Sequence, residues 1–118
     1  MPERLHYLFV CYANVDRSPT AEVVCRRIAA ENSLDIEVSS AGTSDGAIRP
    51  VTKKMADLAD KIFVMEPEMA TEMVEGYGQN PAKIVCLDVL DLYKRNDPSL
   101  VVMLEQKRYE HLMQEGLI

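Results

Sequence analysis

A chain of 118 residues, 47% of them hydrophobic, has material for one sheet-and-helix core and not for two. No apolar run approaches the ~20 residues that a membrane span requires, and a formal charge of -6 without clustered Lys or Arg excludes general nucleic-acid binding. Three cysteines without paired spacing, and a start (Met1-Pro2-Glu3-Arg4) that lacks signal-peptide features, set the expectation of a soluble, cytoplasmic, single-domain protein over residues 1–118.

The elements follow in order. Leu5 to Cys11 is a short apolar run that reads as a strand covered on both faces. Ala21, Val24, Cys25, Ile28 and Ala29 then form one apolar stripe at helical spacing. Ile36 to Ser40 reads as a second strand, Pro50 to Leu58 as a short helix, Lys61 to Met65 as a third strand and Pro67 to Tyr77 as a helix. Lys83 to Val89 reads as the fourth strand. Asp97-Pro98 opens a final helix with Val101, Leu104 and Leu112 on one side and Gly116 near its end. Such alternation implies right-handed crossovers and a parallel sheet. The expected fold is α/β, a single domain with a four-stranded parallel sheet, helices on both faces, in flavodoxin-like order 2-1-3-4. Ligands of such sheets bind beyond the carboxyl ends of the strands. Cys11 lies at the end of the first strand, and Ser40 and Asp91 lie at or just beyond the ends of the second and fourth.

The segment Cys11-Tyr12-Ala13-Asn14-Val15-Asp16-Arg17 places a cysteine and an arginine six positions apart, between a strand and a helix. Five intervening residues suffice to curl the backbone into a nest of inward N–H groups that closes on the first turn of the helix. A phosphoryl group fits such a nest. The helix dipole and the guanidinium favour Cys11 as a thiolate, the form that attacks phosphorus. Arg17 can clamp two phosphoryl oxygens with its planar fork, as Lys cannot. Ser18-Pro19 supplies a capping-type residue followed by proline at the expected first helical position. Asn14 suits a loop that needs a left-handed residue.

These residues, with Ser18 and Pro19 after the arginine, resemble the catalytic loop of the low-molecular-weight protein tyrosine phosphatases, Cys-x-Gly-Asn-x-Cys-Arg-Ser followed by Pro. Ser40-Ala41-Gly42-Thr43 is similar to the family's Ser-Ala-Gly-Thr turn, Asp60 to Met65 to its third strand, and Asp91 to Asp97 to its acid loop, Asp-Pro-Tyr-Tyr-Gly. The likeness runs almost end to end and is nearest to the short bacterial members. It implies hydrolysis of a phosphotyrosine protein or small aryl phosphate through a cysteinyl-phosphate, with inorganic phosphate as product. The implied roles are Cys11 as nucleophile, Arg17 as phosphate clamp and Asp91 as general acid and base. Tyr12, Ala13, Asn14, Val15 and Asp16 would form the cradle, Asn14, Ser18 and Ser40 a hydrogen-bonded support for the thiolate, and Tyr93 an aromatic wall. No cofactor, metal, nucleic acid or membrane is expected, and a monomer is expected.

The chain also departs from the pattern. Ala13 replaces a glycine, which would restrict the backbone there. Leu92, Lys94 and Arg95 replace Pro, Tyr and Gly of the acid loop, making the cleft wall more basic. Asp16 replaces a cysteine, and a carboxylate about 8 Å from the thiolate at an effective dielectric of ~20 would oppose it by on the order of 2 kcal/mol. Asp88 and Asp97 are competing candidates for the acid, although Asp97 before Pro98 reads better as a helix cap. Cys25 and Cys86 read as core cysteines, the scattered methionines as packing, and His6 and His111 fit no metal or catalytic pattern. Three other functions share the loop. Arsenate reduction needs two further cysteines close together, which Cys86 lacks. Arginine phosphatases carry threonine where this chain has Val15. A phosphate-binding module without turnover would tolerate Asp16 and the altered acid loop.

Overall fold

The computed structural model describes residues 5–44, 46–89 and 94–115. Its strands are β1 (Leu5–Cys11), β2 (Ile36–Gly42), β3 (Lys61–Val64) and β4 (Ile84–Cys86), and its helices α1 (Arg17–Glu31), α2 (Lys53–Leu58), α3 (Pro67–Glu75) and α4 (Pro98–Gln114). The four strands form one parallel sheet in the order β2-β1-β3-β4, as expected. The steps β1 to β2 and β2 to β3 run in opposite directions, so right-handed crossovers put α1 and α2 on opposite faces. α4 packs on α1.

The central strands explain the order. β1 is buried from Tyr7 to Cys11 and β3 from Ile62 to Val64, consistent with their continuous apolar runs. Phe63 stacks on Phe9 and meets Tyr7 edge-on, with centroids 5.0 and 5.1 Å apart. The α1 stripe Ala21, Val24, Cys25, Ile28 and Ala29 is buried as its spacing requires. From α4, Leu100, Leu104, Arg108 and Leu112 face inward at intervals of four. One of these is a charge. Arg108 is fully buried, its guanidinium 4.1 Å from the Phe63 centroid, and among the described residues no oxygen or nitrogen atom accepts a hydrogen bond from its three nitrogens. The adjoining Cys25 thiol is pushed up by burial, and Arg108 only partly offsets this.

Several boundaries differ from expectation, each for a local reason. β2 runs on to Gly42, where Pro50 bridges it. Pro50 is therefore bridged to β2, and α2 starts only at Lys53, with Thr52 accepting a cap bond from the Met55 amide. α3 ends at Glu75, before Gly76, rather than reaching Tyr77. The fourth strand is Ile84–Cys86 and not Lys83 to Val89. Pro81–Lys83 form a 3-10 turn capped by Asn80, and Asp88 takes φ of +54°. Leu87 and Val89 nevertheless keep amide bonds to the Val64 and Met65 carbonyls of the neighbouring chain segment. Cys86 accordingly sits half-buried on an edge strand rather than in the core, its Sγ 3.4 Å from Asp88 Oδ1. α4 begins at Pro98 behind an Asp97 whose carboxylate accepts from the Ser99 amide, the expected cap. Gly116 lies outside the described residues.

Candidate active site

β1 delivers Cys11 to the carboxyl edge of the sheet, and the chain curls through Tyr12–Asp16 before α1 begins at Arg17. The turn closes because Asn14 takes φ of +56°, where an Asx side chain is tolerated. It is the only residue of the loop with positive φ, so the backbone has no need of a glycine at Ala13. The loop instead requires a glycine beside it. A Cβ on Gly42 would lie 2.6 Å from the Tyr12 carbonyl and 2.9 Å from the Asn14 amide. The chain after β2 then pairs with the loop: Thr43, Ser44 and Ile48 amides donate to the carbonyls of Cys11, Tyr12 and Ala13. This explains why the Ser40-Ala41-Gly42-Thr43 turn and the loop belong to one site.

Cys11 is buried, and its Sγ lies 3.2 Å from the donating Asn14 amide and 3.0 Å from Ser18 Oγ. Asn14 Nδ2 donates to Ser18 Oγ at 2.9 Å and to Ser40 Oγ at 3.0 Å, and Ser40 Oγ donates to Glu22 Oε1 at 2.7 Å. A continuous polar chain thus runs from a carboxylate to the sulfur. Arg26 pairs with the other oxygen of Glu22, at 2.9 Å. Asn14, Ser18 and Ser40 were expected together; Glu22, which anchors them, was not. Its position in the first turns of α1, facing the edge of β2, is the signal that could have found it.

Ser18 does not cap α1 and Pro19 is not its first residue. Asp16 precedes the helix, and Pro19 stands third within it, still in the turn whose amides need no helical acceptor. The Ser18 hydroxyl serves the sulfur instead. The Asp16 carboxylate is engaged from outside the loop. Its Oδ1 accepts from the Arg95 amide at 2.7 Å, while Thr20 Oγ1 accepts from the Asn96 amide at 2.9 Å. The two bonds fasten Arg95 and Asn96 to the start of α1.

Arg17 is buried at the rim of the loop. Its NH1 donates to Val89 O at 2.8 Å and to Glu66 Oε1 at 2.9 Å. Glu66 was not among the expected site residues, although it follows β3 on the same edge that Cys11 and Ser40 occupy. Cys11, Tyr12, Ala13, Val15, Asp16 and Arg17 enclose a cavity of about 70 Å³, space for a group of a few heavy atoms, roughly two waters at ~30 Å³ each. Tyr12 and Val15 are exposed on its lip. A wider hollow beside it is lined by Tyr12, Thr43, Glu66, Pro67 and Met69. Asp91 and Tyr93, the expected acid and wall, lie outside the described residues, as does Leu92. Asp88 is exposed, with Oδ1 3.4 Å from Cys86 Sγ, and Asp97 is engaged as a cap.

A nest holding a buried cysteine, closed by an arginine on the first turn of a helix, in a 2-1-3-4 parallel sheet, defines a cysteine-dependent phosphate-loop protein. Residues 6–116 match the family model described as low molecular weight phosphotyrosine protein phosphatase, and the chain belongs to that family, whose members are cysteine-based phosphatases. Solved structures share the fold. The YwlE arginine phosphatase, determined as a cysteine-to-serine mutant with a phosphorylated active-site serine, matches with TM-score 0.77 at 21% identity over 97% of this chain and 100% of that one. A low molecular weight protein tyrosine phosphatase from Bacillus subtilis gives 0.74 at 20% identity over 95% and 99%. The tyrosine phosphatase Wzb from Escherichia coli K30, in complex with phosphate, gives 0.74 at 21% identity over 92% and 98%. No curated protein sequence matches. Among the described residues, no helix is long and apolar enough to cross a membrane.

Proposed function

We propose that the chain is a protein tyrosine phosphatase that works as a monomer in the cytoplasm, on a phosphotyrosine protein or small aryl phosphate. The reading is carried by one observation: the Cys11 sulfur receives the Asn14 amide and faces the Ser18 hydroxyl, at the floor of a cavity of phosphoryl size closed by Arg17. The sulfur attacks phosphorus along the axis of the nest, and the bond from phosphorus to the phenolic oxygen breaks. Arg17 and the loop amides neutralise the equatorial oxygens. Asp91 gives its proton to the leaving phenolate, then takes one from the water that attacks the cysteinyl-phosphate and releases inorganic phosphate and the thiolate. Support for Asp91 comes from its flanks. Val89 on one side bonds Arg17, and Arg95 on the other bonds Asp16, so both ends of its segment are tied to the loop. Exposed Tyr12 and Val15 offer an apolar lip to an aromatic ring.

Tyrosine is favoured over arginine as the dephosphorylated residue by the purely apolar Val15 on that lip. A disulfide relay from Cys11 is disfavoured, because Cys25 is buried on the α1 stripe and Cys86 lies on the edge strand. The test is turnover of p-nitrophenyl phosphate, phosphotyrosine and phosphoarginine by wild-type and Cys11→Ser protein. Wild-type hydrolysis of the first two, abolished by Cys11→Ser in a protein of unchanged circular dichroism that still binds phosphate, is expected. An inert wild type that binds phosphate would make the chain a binding module, and residual turnover in the serine variant would move the nucleophile elsewhere.

A further inference from the structure

We infer that Glu66 is a positioning residue for Arg17, setting the plane of the guanidinium that meets the phosphoryl group. The inference rests on the phosphatase reading above and goes beyond it by adding a residue to the site. Glu66 stands between β3 and α3, at the position where a helix usually carries Ser, Thr, Asp or Asn to bond its own first amides. Here the carboxylate caps nothing. It reaches across to Arg17 NH1 at 2.9 Å. Arg17 has 3% of its side chain exposed and Glu66 34%, so the pair is half sheltered, and its arginine end sits against the cavity.

The geometry explains why an orienting group is needed. Val89 O accepts from the same NH1 nitrogen at 2.8 Å. Two acceptors on one nitrogen, arriving from the ends of two different strands, fix both its position and its plane. A planar fork must be coplanar with the phosphoryl oxygens to bond them in pairs. Displacement by about 1 Å at such a group is enough to lose on the order of 100-fold in rate. The negative charge of Glu66 beside Arg17 opposes the binding of an anion, so its contribution is to orientation and not to affinity.

The experiment is a set of variants read in two ways. Glu66→Gln keeps an acceptor oxygen at the same reach and removes the charge, whereas Glu66→Ala removes both. The expected result for p-nitrophenyl phosphate is a fall in kcat of about 10-fold to 100-fold in Glu66→Ala, with at least half of that loss, on a logarithmic scale, restored in Glu66→Gln. Combining Glu66→Ala with Arg17→Ala should add no further loss, since the two act as one unit. Binding of inorganic phosphate, followed by calorimetry, supplies a readout independent of turnover: Glu66→Gln should bind it more tightly than wild type, and Glu66→Ala should not. Equal kcat in Glu66→Ala and wild type, equal loss in Gln and Ala, or additive losses with Arg17→Ala would each overturn the assignment. An inactive wild type that binds phosphate with this same ordering of variants would overturn the phosphatase reading and leave the positioning of Arg17 standing.

Discussion

Asn14 does two things at once: its backbone supplies the left-handed turn, and its side-chain amide bridges Ser18 and Ser40. Substitutions separate the two. Asn14→Gly retains access to positive φ but deletes both hydrogen bonds, each worth about 0.5–1.5 kcal/mol between neutral groups, so kcat should fall roughly 10-fold and the urea midpoint should drop. Asn14→Ala loses the bonds and also strains the turn by on the order of 1 kcal/mol, so its urea midpoint should fall further than that of the glycine variant. Matching midpoints for the two variants would mean that the strain is not borne at this residue. The acid can be tested by the same logic. Asp91→Asn should slow substrates with poor leaving groups far more than those whose phenolate departs unaided, within the ~100-fold to 10,000-fold typical of general acid help. Asp97→Asn should leave that dependence unchanged, because Asn caps α4 about as well as Asp. A steeper dependence of rate on leaving-group pKa in the Asp97 variant alone would transfer the role to Asp97.

At the scale of elements, the parallel sheet was readable from the sequence because two signals coincided: apolar runs too short for helices, and alternation with helical stripes; neither of these fixes the order of the strands. The cysteine loop was readable because Cys11, Asn14, Arg17 and Ser18 keep their spacing within one turn of chain. Failures came where a residue's partner is distant in sequence. Glu22 and Glu66 look like solvated acids until β2 and β1 bring Ser40 and Arg17 to them, 18 and 49 residues away. Asp16 looked like a charge aimed at the thiolate, because nothing local indicates that the Arg95 amide, 79 residues on, would claim its carboxylate. Ser18 looked like a cap for the same reason: its hydroxyl has a better use in the sulfur. The fourth strand was overextended because Leu87 and Val89 are apolar and buried, while the positive φ of Asp88 between them leaves no trace in hydrophobic pattern.

Across the whole molecule the most unusual packing choice is Arg108. Stacking on Phe63 at 4.1 Å returns about 2 kcal/mol or somewhat more, against an effective desolvation cost of several kcal/mol for an ion that finds no oxygen or nitrogen acceptor among the described residues. The second term wins, so Arg108→Met, which keeps the bulk against Tyr7, Phe9 and Phe63, should raise unfolding free energy in urea by about 1–3 kcal/mol. A loss exceeding 1 kcal/mol would show that the charge is neutralised within the core. Activity should be unaffected.

The brevity of β4 has a further consequence. Three paired residues on an edge, preceded by a 3-10 turn, place this strand at the weak end of the sheet, where amides open to solvent without global unfolding. Yet Val89, whose carbonyl holds the Arg17 guanidinium, hangs from the bonds that prolong this strand. Phosphate and local opening therefore compete for the same contacts. Inorganic phosphate at 100 times its Kd should suppress any opening that breaks the site by about 2.7 kcal/mol, slowing hydrogen exchange of the Leu87 and Val89 amides roughly 100-fold in the local-opening regime. Amides of α2 should keep their rates, and the weakest strand of the fold would then report occupancy of its phosphate site.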